Sequence, residues 1–344
     1  MYIHALATAV PTHKFSQNQC WEVALKSEAV SRLNRRSRLM LGELLRNGHG
    51  IKTRHFATSS IENIFELSSD QLNSNFRNEA PNLAVSALEK ALIKANITAQ
   101  DLDALVVCTC TGYICPGVSS YVAEKMGIKP NAYLQDLVGL GCGAAIPTMR
   151  AVKNILATEP DSIVACIAVE ICSAAFFIDD DPGVIVSACL FGDGAAALVC
   201  SNKPKSGALY CYEFDTVHKP ELRDKLRFEH KNGKLRNMLD KSVPSVVSKA
   251  VSELWSRKST APVDQVISHG GGKDVIEALI DVIQPHQLEP SITVLEKYGN
   301  MSSPSVLFAL EEALLENKYA TGDDTWLVSF GAGFSAHSCR LKQL

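Results

Sequence analysis

Hydrophobic and polar positions alternate along the chain in two registers. Short, near-continuous apolar runs of strand length recur at 105–110, 163–171, 195–200, 263–268 and 325–330, several of them closed by Gly or a polar turn. Between them, residues 82–95 carry Leu83, Val85, Leu88, Ala91 and Leu92 at helical spacing, and residues 303–315 repeat the pattern with Val306, Leu307, Leu310 and Leu314. Apolar runs without alternation suit strands buried on both faces, as in parallel sheets. The pattern therefore predicts an α/β chain of helix–sheet–helix layers in two stacked halves. Residues 203–239 break it. They are polar and charged, and fit either a solvated excursion of short strands and turns or an arm for a partner.

The 344 residues are 46% hydrophobic and 21% charged, which excludes disorder as the dominant state. A formal charge of −3 leaves no broad basic field for a nucleic-acid backbone. The 11 cysteines are an odd number, several lie inside apolar runs (Cys108, Cys166, Cys200), and no spacing matches a zinc site. The expectation is a reduced, cytoplasmic protein without a metal and without a membrane span, acting on a small molecule. Residues 31–54 are basic (Arg32, Arg35, Arg36, Arg38, Arg46, Lys52, Arg54) and partly helical. They fit an exposed helix face or the positive ground for a phosphorylated cofactor tail.

Candidate chemistry starts at Gly141-Cys142-Gly143, a turn feeding a helix that begins near Ile146. Unpaired N–H groups and the helix dipole favour a thiolate there, and the flanking Gly admits a substrate carbonyl. A small buried packing cysteine fits the same segment. His269 ends an apolar run and opens Gly270-Gly271-Gly272, where the loss of side chains would let a long thin ligand pass the imidazole. A hydrogen-bonded core histidine is the plain alternative, and GxGxxG is absent. Asn300, in Tyr298-Gly299-Asn300-Met301-Ser302-Ser303, precedes the last long helix, with Ser302 or Ser303 suited to its N-cap and Pro304 to its first turn. Phe330-Gly331-Ala332-Gly333-Phe334 could aim N–H groups at an oxyanion.

Together with Leu190-Phe191-Gly192-Asp193-Gly194-Ala195-Ala196-Ala197, these segments resemble a thiolase-fold condensing enzyme, more narrowly a chalcone synthase-like type III polyketide synthase. The resemblance implies a five-layered αβαβα fold from two pseudo-equivalent halves, residues 1–200 with the nucleophilic Cys and 201–344 with His and Asn. It implies that Cys142 carries an acyl group from an acyl-CoA while His269 and Asn300 bind the malonyl-CoA thioester carbonyl during decarboxylation. Phe191 matches the gatekeeper aromatic, Cys110, Cys172 and Ala175 the cavity lining, and Ser302 a polar residue beside the centre. Gly331, Ala332 and Gly333 match a cavity-wall loop, and Asp193 a loop support. Cys115 falls where the family lends a side chain across a homodimer contact. The grip on coenzyme A is assigned to Arg46 and Lys52, with Gly271 and Gly272 beside its thin arm.

The implied mechanism has a Cys142 thiolate, favoured by His269 as imidazolium, taking the acyl group. An enolate then forms under donors from His269 and Asn300, each worth about 3 kcal/mol by comparison with oxyanion-hole deletions. No cofactor is needed beyond the coenzyme A thioesters. Three departures stand out: Asn237 lies where a second gatekeeper Phe is usual, and Ala332 and Gly270 replace prolines. Small residues at Cys110, Cys172 and Ala175 suggest room for a long or bulky chain. Two other readings share the pattern. One is a β-ketoacyl-ACP synthase III-like single condensation, against which three Gly rather than Gln-Ala-Asn follow the His; the other is a non-catalytic thiolase-fold subunit.

Overall fold

In the computed structural model of the chain, residues 1–58, 61–316 and 320–344 are described. The sheet strands are β1 (Tyr2–Ala9), β2 (Ala104–Thr109), β3 (Tyr133–Val138), β4 (Val164–Glu170), β5 (Gly194–Ser201), β6 (Leu209–His218), β7 (Gln265–Ser268), β8 (Asp324–Gly331) and β9 (Ser335–Gln343). Among the described residues they hydrogen-bond in the order β7-β8-β9-β6-β1-β5-β4-β2-β3. The two halves of this array are joined over a short stretch, where Tyr2 pairs with Tyr210 and Ile3 with Leu209 and Cys211 N donates to Met1 O at 2.8 Å. The array is therefore two sheets touching at one corner.

Alternate residues of each strand feed different layers, because a strand turns successive side chains to opposite faces. In β2, Leu105 and Val107 pack outward beneath helix α1 (Ser69–Ala95), with Leu88, Ala91 and Leu92. Val106 and Cys108 face inward, onto α2 (Ala145–Thr158) and α5 (Ser305–Leu315). That central layer also meets Leu327, Cys339 and Leu341 of the second sheet. The far face of the second sheet, through Trp326, Val328 and Phe330, is covered by α3 (Val243–Arg257) and α4 (Lys273–Ile280). The order helix, sheet, helix, sheet, helix is the expected αβαβα fold.

Each of the five apolar runs singled out above became a strand, and β2, β4, β5 and β8 are buried throughout. The expectation of parallel sheets needs correction. Only β2–β3, β2–β4 and β7–β8 run parallel, and the remaining pairs are antiparallel. The polar region 203–239 is not simply a solvated excursion either. It opens with β6, a sheet strand whose alternation of buried Cys211 and Val217 with polar neighbours hid it from the apolar count. It continues into a hairpin of Leu226–Lys231 and Lys234–Leu239, which walls the site described next.

Candidate active site

Cys142 sits in a 3-10 turn, Gly141–Gly143, at the foot of α2. Two glycines allow the turn to pack backbone to backbone against the end of β8. Gly141 has φ +60°, and a Cβ there would lie 2.9 Å from the Ala332 nitrogen. A Cβ on Gly331 would lie 2.5 Å from the Gly143 nitrogen and 2.8 Å from that of Cys142. The Cys142 sulfur accepts a hydrogen bond from Ser302 Oγ at 3.3 Å.

His269 follows β7, its N–H donating to Val328 O at 2.9 Å. Its ring packs 5.0 Å from that of Phe330, and Nδ1 is buried without a hydrogen-bond partner. Burial alone lowers the imidazole pKa to about 3. Burial likewise pushes the Cys142 thiol up to about 12, with the Ser302 hydrogen bond opposing and the Glu170 charge adding to the rise. Both shifts disfavour charge, so burial acts against the expected thiolate–imidazolium pair.

Asn300 is held at both ends of its carboxamide. Its Nδ2 donates to Gly271 O at 2.8 Å and its Oδ1 accepts from Ser302 N at 2.7 Å. A carboxamide nitrogen carries two N–H groups, which leaves one for a ligand oxygen. The expected N-cap roles of Ser302 and Ser303 are not what the hydroxyls do. Pro304 occupies the cap position of α5, and Ser303 Oγ donates to Glu170 Oε1 at 2.6 Å.

Glu170, at the end of β4, is a hub that sequence reasoning missed. It is fully buried, and its Oε2 accepts from the backbone N–H groups of Cys110 and Thr111 at 2.9 and 3.1 Å and from Thr111 Oγ1 at 2.8 Å. Burial raises its pKa. The available signal was an acid closing the otherwise apolar run 163–171, since a buried carboxyl needs several partners.

Two cavities meet at Cys142. The outer one, of about 420 Å³, is lined by Cys142, His269, Asn300, Phe191, Gly271 and Gly272 among others. The inner one, of about 40 Å³, is lined by Cys110, Cys142, Cys172, Ala175, Asn237, Ser302 and Ala332 together with Phe176, Phe177, Phe191 and Phe228. The small residues at Cys110, Cys172 and Ala175 therefore do not make a large chamber, because four phenylalanines fill the space they leave.

The remaining candidates divide. Phe191 borders both cavities and bridges in parallel to Asn300. Asp193 supports its loop, accepting from Ala57 N at 2.7 Å and Ser173 Oγ at 2.6 Å. Gly331 backs the turn that carries Cys142 without lining either cavity, and Gly333 lies against Ser335 and His218. Cys115 is exposed and lines neither cavity. Arg46 and Lys52 also lie off the cavity walls. Arg46 bonds Gly42 O at 3.1 Å and stacks over Trp21, while Lys52 pairs with Glu296. The basic side chains on the outer wall are Lys241, Lys273 and His49. Arg54 points into the interior, 2% exposed. Among the described residues, no group of three or more His, Cys, Asp or Glu could hold a metal ion, and no helix is long and apolar enough to cross a membrane.

Residues 7–253 match the family model for FAE1/type III polyketide synthase-like proteins. The chain belongs to that family. Residues 256–343 match the C-terminal model of 3-oxoacyl-[acyl-carrier-protein] synthase III. The synthase is 30% identical over 267 residues to a 3,5-dihydroxyphenylacetyl-CoA synthase of Amycolatopsis orientalis, covering 74% of this chain and 72% of the relative. It is 29% identical to a 1,3,6,8-tetrahydroxynaphthalene synthase of Streptomyces peucetius, covering 99% and 92% of the two chains. In fold it superposes on the crystal structure of the Streptomyces coelicolor 1,3,6,8-tetrahydroxynaphthalene synthase with a TM-score of 0.90 at 24% identity, over 100% and 99% of the two chains. It is thus a polyketide synthase, an acyltransferase that works by decarboxylative condensation.

Proposed function

We propose that residues 1–200 supply the nucleophile and residues 201–344 the donors of one condensing centre, served by acyl-CoA and malonyl-CoA. Cys142 takes the starter acyl group: its proton passes to His269 as the sulfur attacks the thioester carbonyl and then to the departing coenzyme A sulfur, so coenzyme A leaves as the thiol and His269 returns to the neutral form. Malonyl-CoA then enters the outer cavity. Loss of carbon dioxide places negative charge on its thioester oxygen, against the free N–H of Asn300 and a neutral imidazole N–H of His269. The enolate carbon attacks the Cys142 thioester, forming the carbon–carbon bond and breaking the carbon–sulfur bond, and the released Cys142 thiolate takes a proton from water.

The observation that carries this reading is the position of Cys142 on the shared wall of both cavities, with His269 and Asn300 only on the outer one. An acyl chain on the sulfur can lie inward while malonyl-CoA occupies the outer space. An inner volume of about 40 Å³ favours a short-chain starter over a bulky aromatic one. Lys241, Lys273 and His49 on the outer wall are the coenzyme phosphate partners in place of Arg46 and Lys52. The test is the intact mass of the protein after exposure to acyl-CoAs of increasing length, followed by labelled malonyl-CoA. The expected result is loading of short acyl groups that Cys142→Ala abolishes, and loading that survives Cys142→Ala sinks the reading.

A further inference from the structure

Two arginines are almost wholly buried, and they differ in their partners. Arg340, 0% exposed, pairs with Asp324 at 2.7 Å. Arg54, 2% exposed, has no carboxylate within 4 Å among the described residues, although its charge reaches buried Asp193 from farther off and opposes the rise that burial imposes there. Its donors go to neutral acceptors: Nε to Gln17 Oε1 at 3.0 Å, and Nη1 to the carbonyls of Ala188 and Phe191, both at 2.8 Å. The guanidinium also lies over the Phe56 ring at 5.0 Å. An apolar residue at such a place is commonly no less stable than a buried charge. What the charge does there is local and directional.

Of the two carbonyls it grips, that of Ala188 lies just before the segment that holds Asn300 and that of Phe191 lies within it. Asn300 N donates to Leu190 O at 2.9 Å, and Gly192 N donates to Asn300 O at 2.9 Å, so Phe191 lies between the two bonds. From the other side, a Cβ on Gly299 would lie 2.7 Å from Leu190 O and 3.0 Å from Arg54 Cγ, which pins the residue before Asn300 between them. The same strand ties down the preceding helix end, through Thr53 Oγ1 to Lys297 O at 2.6 Å. Arg54 thus touches the support of Asn300 on both sides and lines neither cavity.

We propose that Arg54 is a positioning residue for malonyl decarboxylation: by clamping the Ala188 and Phe191 carbonyls it fixes the backbone that sets the Asn300 carboxamide. The inference rests on the role given above to Asn300. Lysine delivers a compact point charge rather than a fork, so it satisfies two divergent carbonyls poorly.

The experiment compares Arg54→Met, Arg54→Lys, Asn300→Ala and the Arg54→Met/Asn300→Ala double variant of the full chain. Each is assayed for Cys142 loading by intact mass and for carbon dioxide release from labelled malonyl-CoA, with thermal melts alongside. Arg54→Met should load within about twofold of the parent and release carbon dioxide at least about tenfold more slowly. Arg54→Lys should fall between, and the double variant should be no slower than Asn300→Ala alone. Equal loss of both half-reactions, an additive double variant, unchanged decarboxylation, or failure of both substitutions to fold would each overturn the proposal. If Asn300→Ala leaves decarboxylation intact, it is the role of Asn300 that has failed.

Discussion

The hydroxyl of Ser302 stands 3.3 Å from the sulfur of Cys142 and 3.2 Å from that of Cys110, with Glu170 Oε1 at 3.4 Å. One O–H carries one proton, so donating it to Cys142 leaves the hydroxyl oxygen as the acceptor for the Cys110 thiol. The serine is therefore placed to stabilise negative charge on the Cys142 sulfur in a pocket whose burial opposes it.

Ser302→Ala should slow both acyl loading and alkylation of Cys142 by about ten- to a hundredfold, the range for a lost hydrogen bond to a charged group. With the thiol near 12, thiolate is the minor form at neutrality. The parent's alkylation rate should rise about tenfold per pH unit from pH 6 to 9 without a plateau. Iodoacetamide kinetics with mass detection read both. A plateau near pH 7 would show a stabilised thiolate and contradict the burial argument.

Gly331→Ala should displace the nucleophile's turn, because its Cβ would fall 2.5 Å from the Gly143 nitrogen and 2.8 Å from the Cys142 nitrogen. Backbone atoms cannot rotate away, and overpacking of this kind costs about 1–3 kcal/mol. Loading at Cys142 and the urea midpoint should both fall. Unchanged loading would mean that the β8 end and the nucleophile's turn are not in contact.

Phe177→Ala should widen the inner cavity and let longer acyl-CoAs load. Phe177 is one of the four phenylalanines filling that space. Competition between short and long acyl-CoAs, scored by intact mass, measures the shift. A parent already indifferent to chain length would place the acyl group somewhere other than the inner cavity.

Stability should fall on acidification. Burial lowers His269 to about 3 and His337 to about 4, from 6.5. Each contributes stability that is fully present above pH 6.5 and is lost as pH drops through the folded value. For His337 the difference corresponds to about 3 kcal/mol. Asp193, raised to about 6 by burial, acts oppositely, contributing below 3.8 and losing that contribution as pH rises through 6. The urea midpoint should therefore be lower at pH 4 than at pH 7, and His337→Gln should shrink that difference. An unchanged difference in that variant would show that His337 is not the buried neutral base.

Much of the fold was legible because the signals are local. The apolar run 195–200, opened by Gly194, reads as a buried strand, and Gly194 has a close neighbour in Met301, whose sulfur would lie 2.6 Å from an added Cβ. Strands β6 and β9 were not legible, since they mix buried and polar residues and owe their place to pairing with each other. The same contrast separates the basic residues. Positive charge in 31–54 is plain in the sequence, yet Arg54 is drawn inward by backbone carbonyls from residues more than 130 positions away, and Lys241 and Lys273 reach the cavity from the second half of the chain.

The sequence alone determined which side chains could do the chemistry: a thiol at a glycine-flanked helix start, an imidazole at a strand end and a carboxamide at a helix entry, each set by nearest-neighbour geometry. Tertiary structure decided that they line one cavity, that burial opposes charge on the thiol and the imidazole, and that the inner space is small. Burial, long-range contact and cavity volume depend on residues distant along the chain, and only the packed layers bring those residues together.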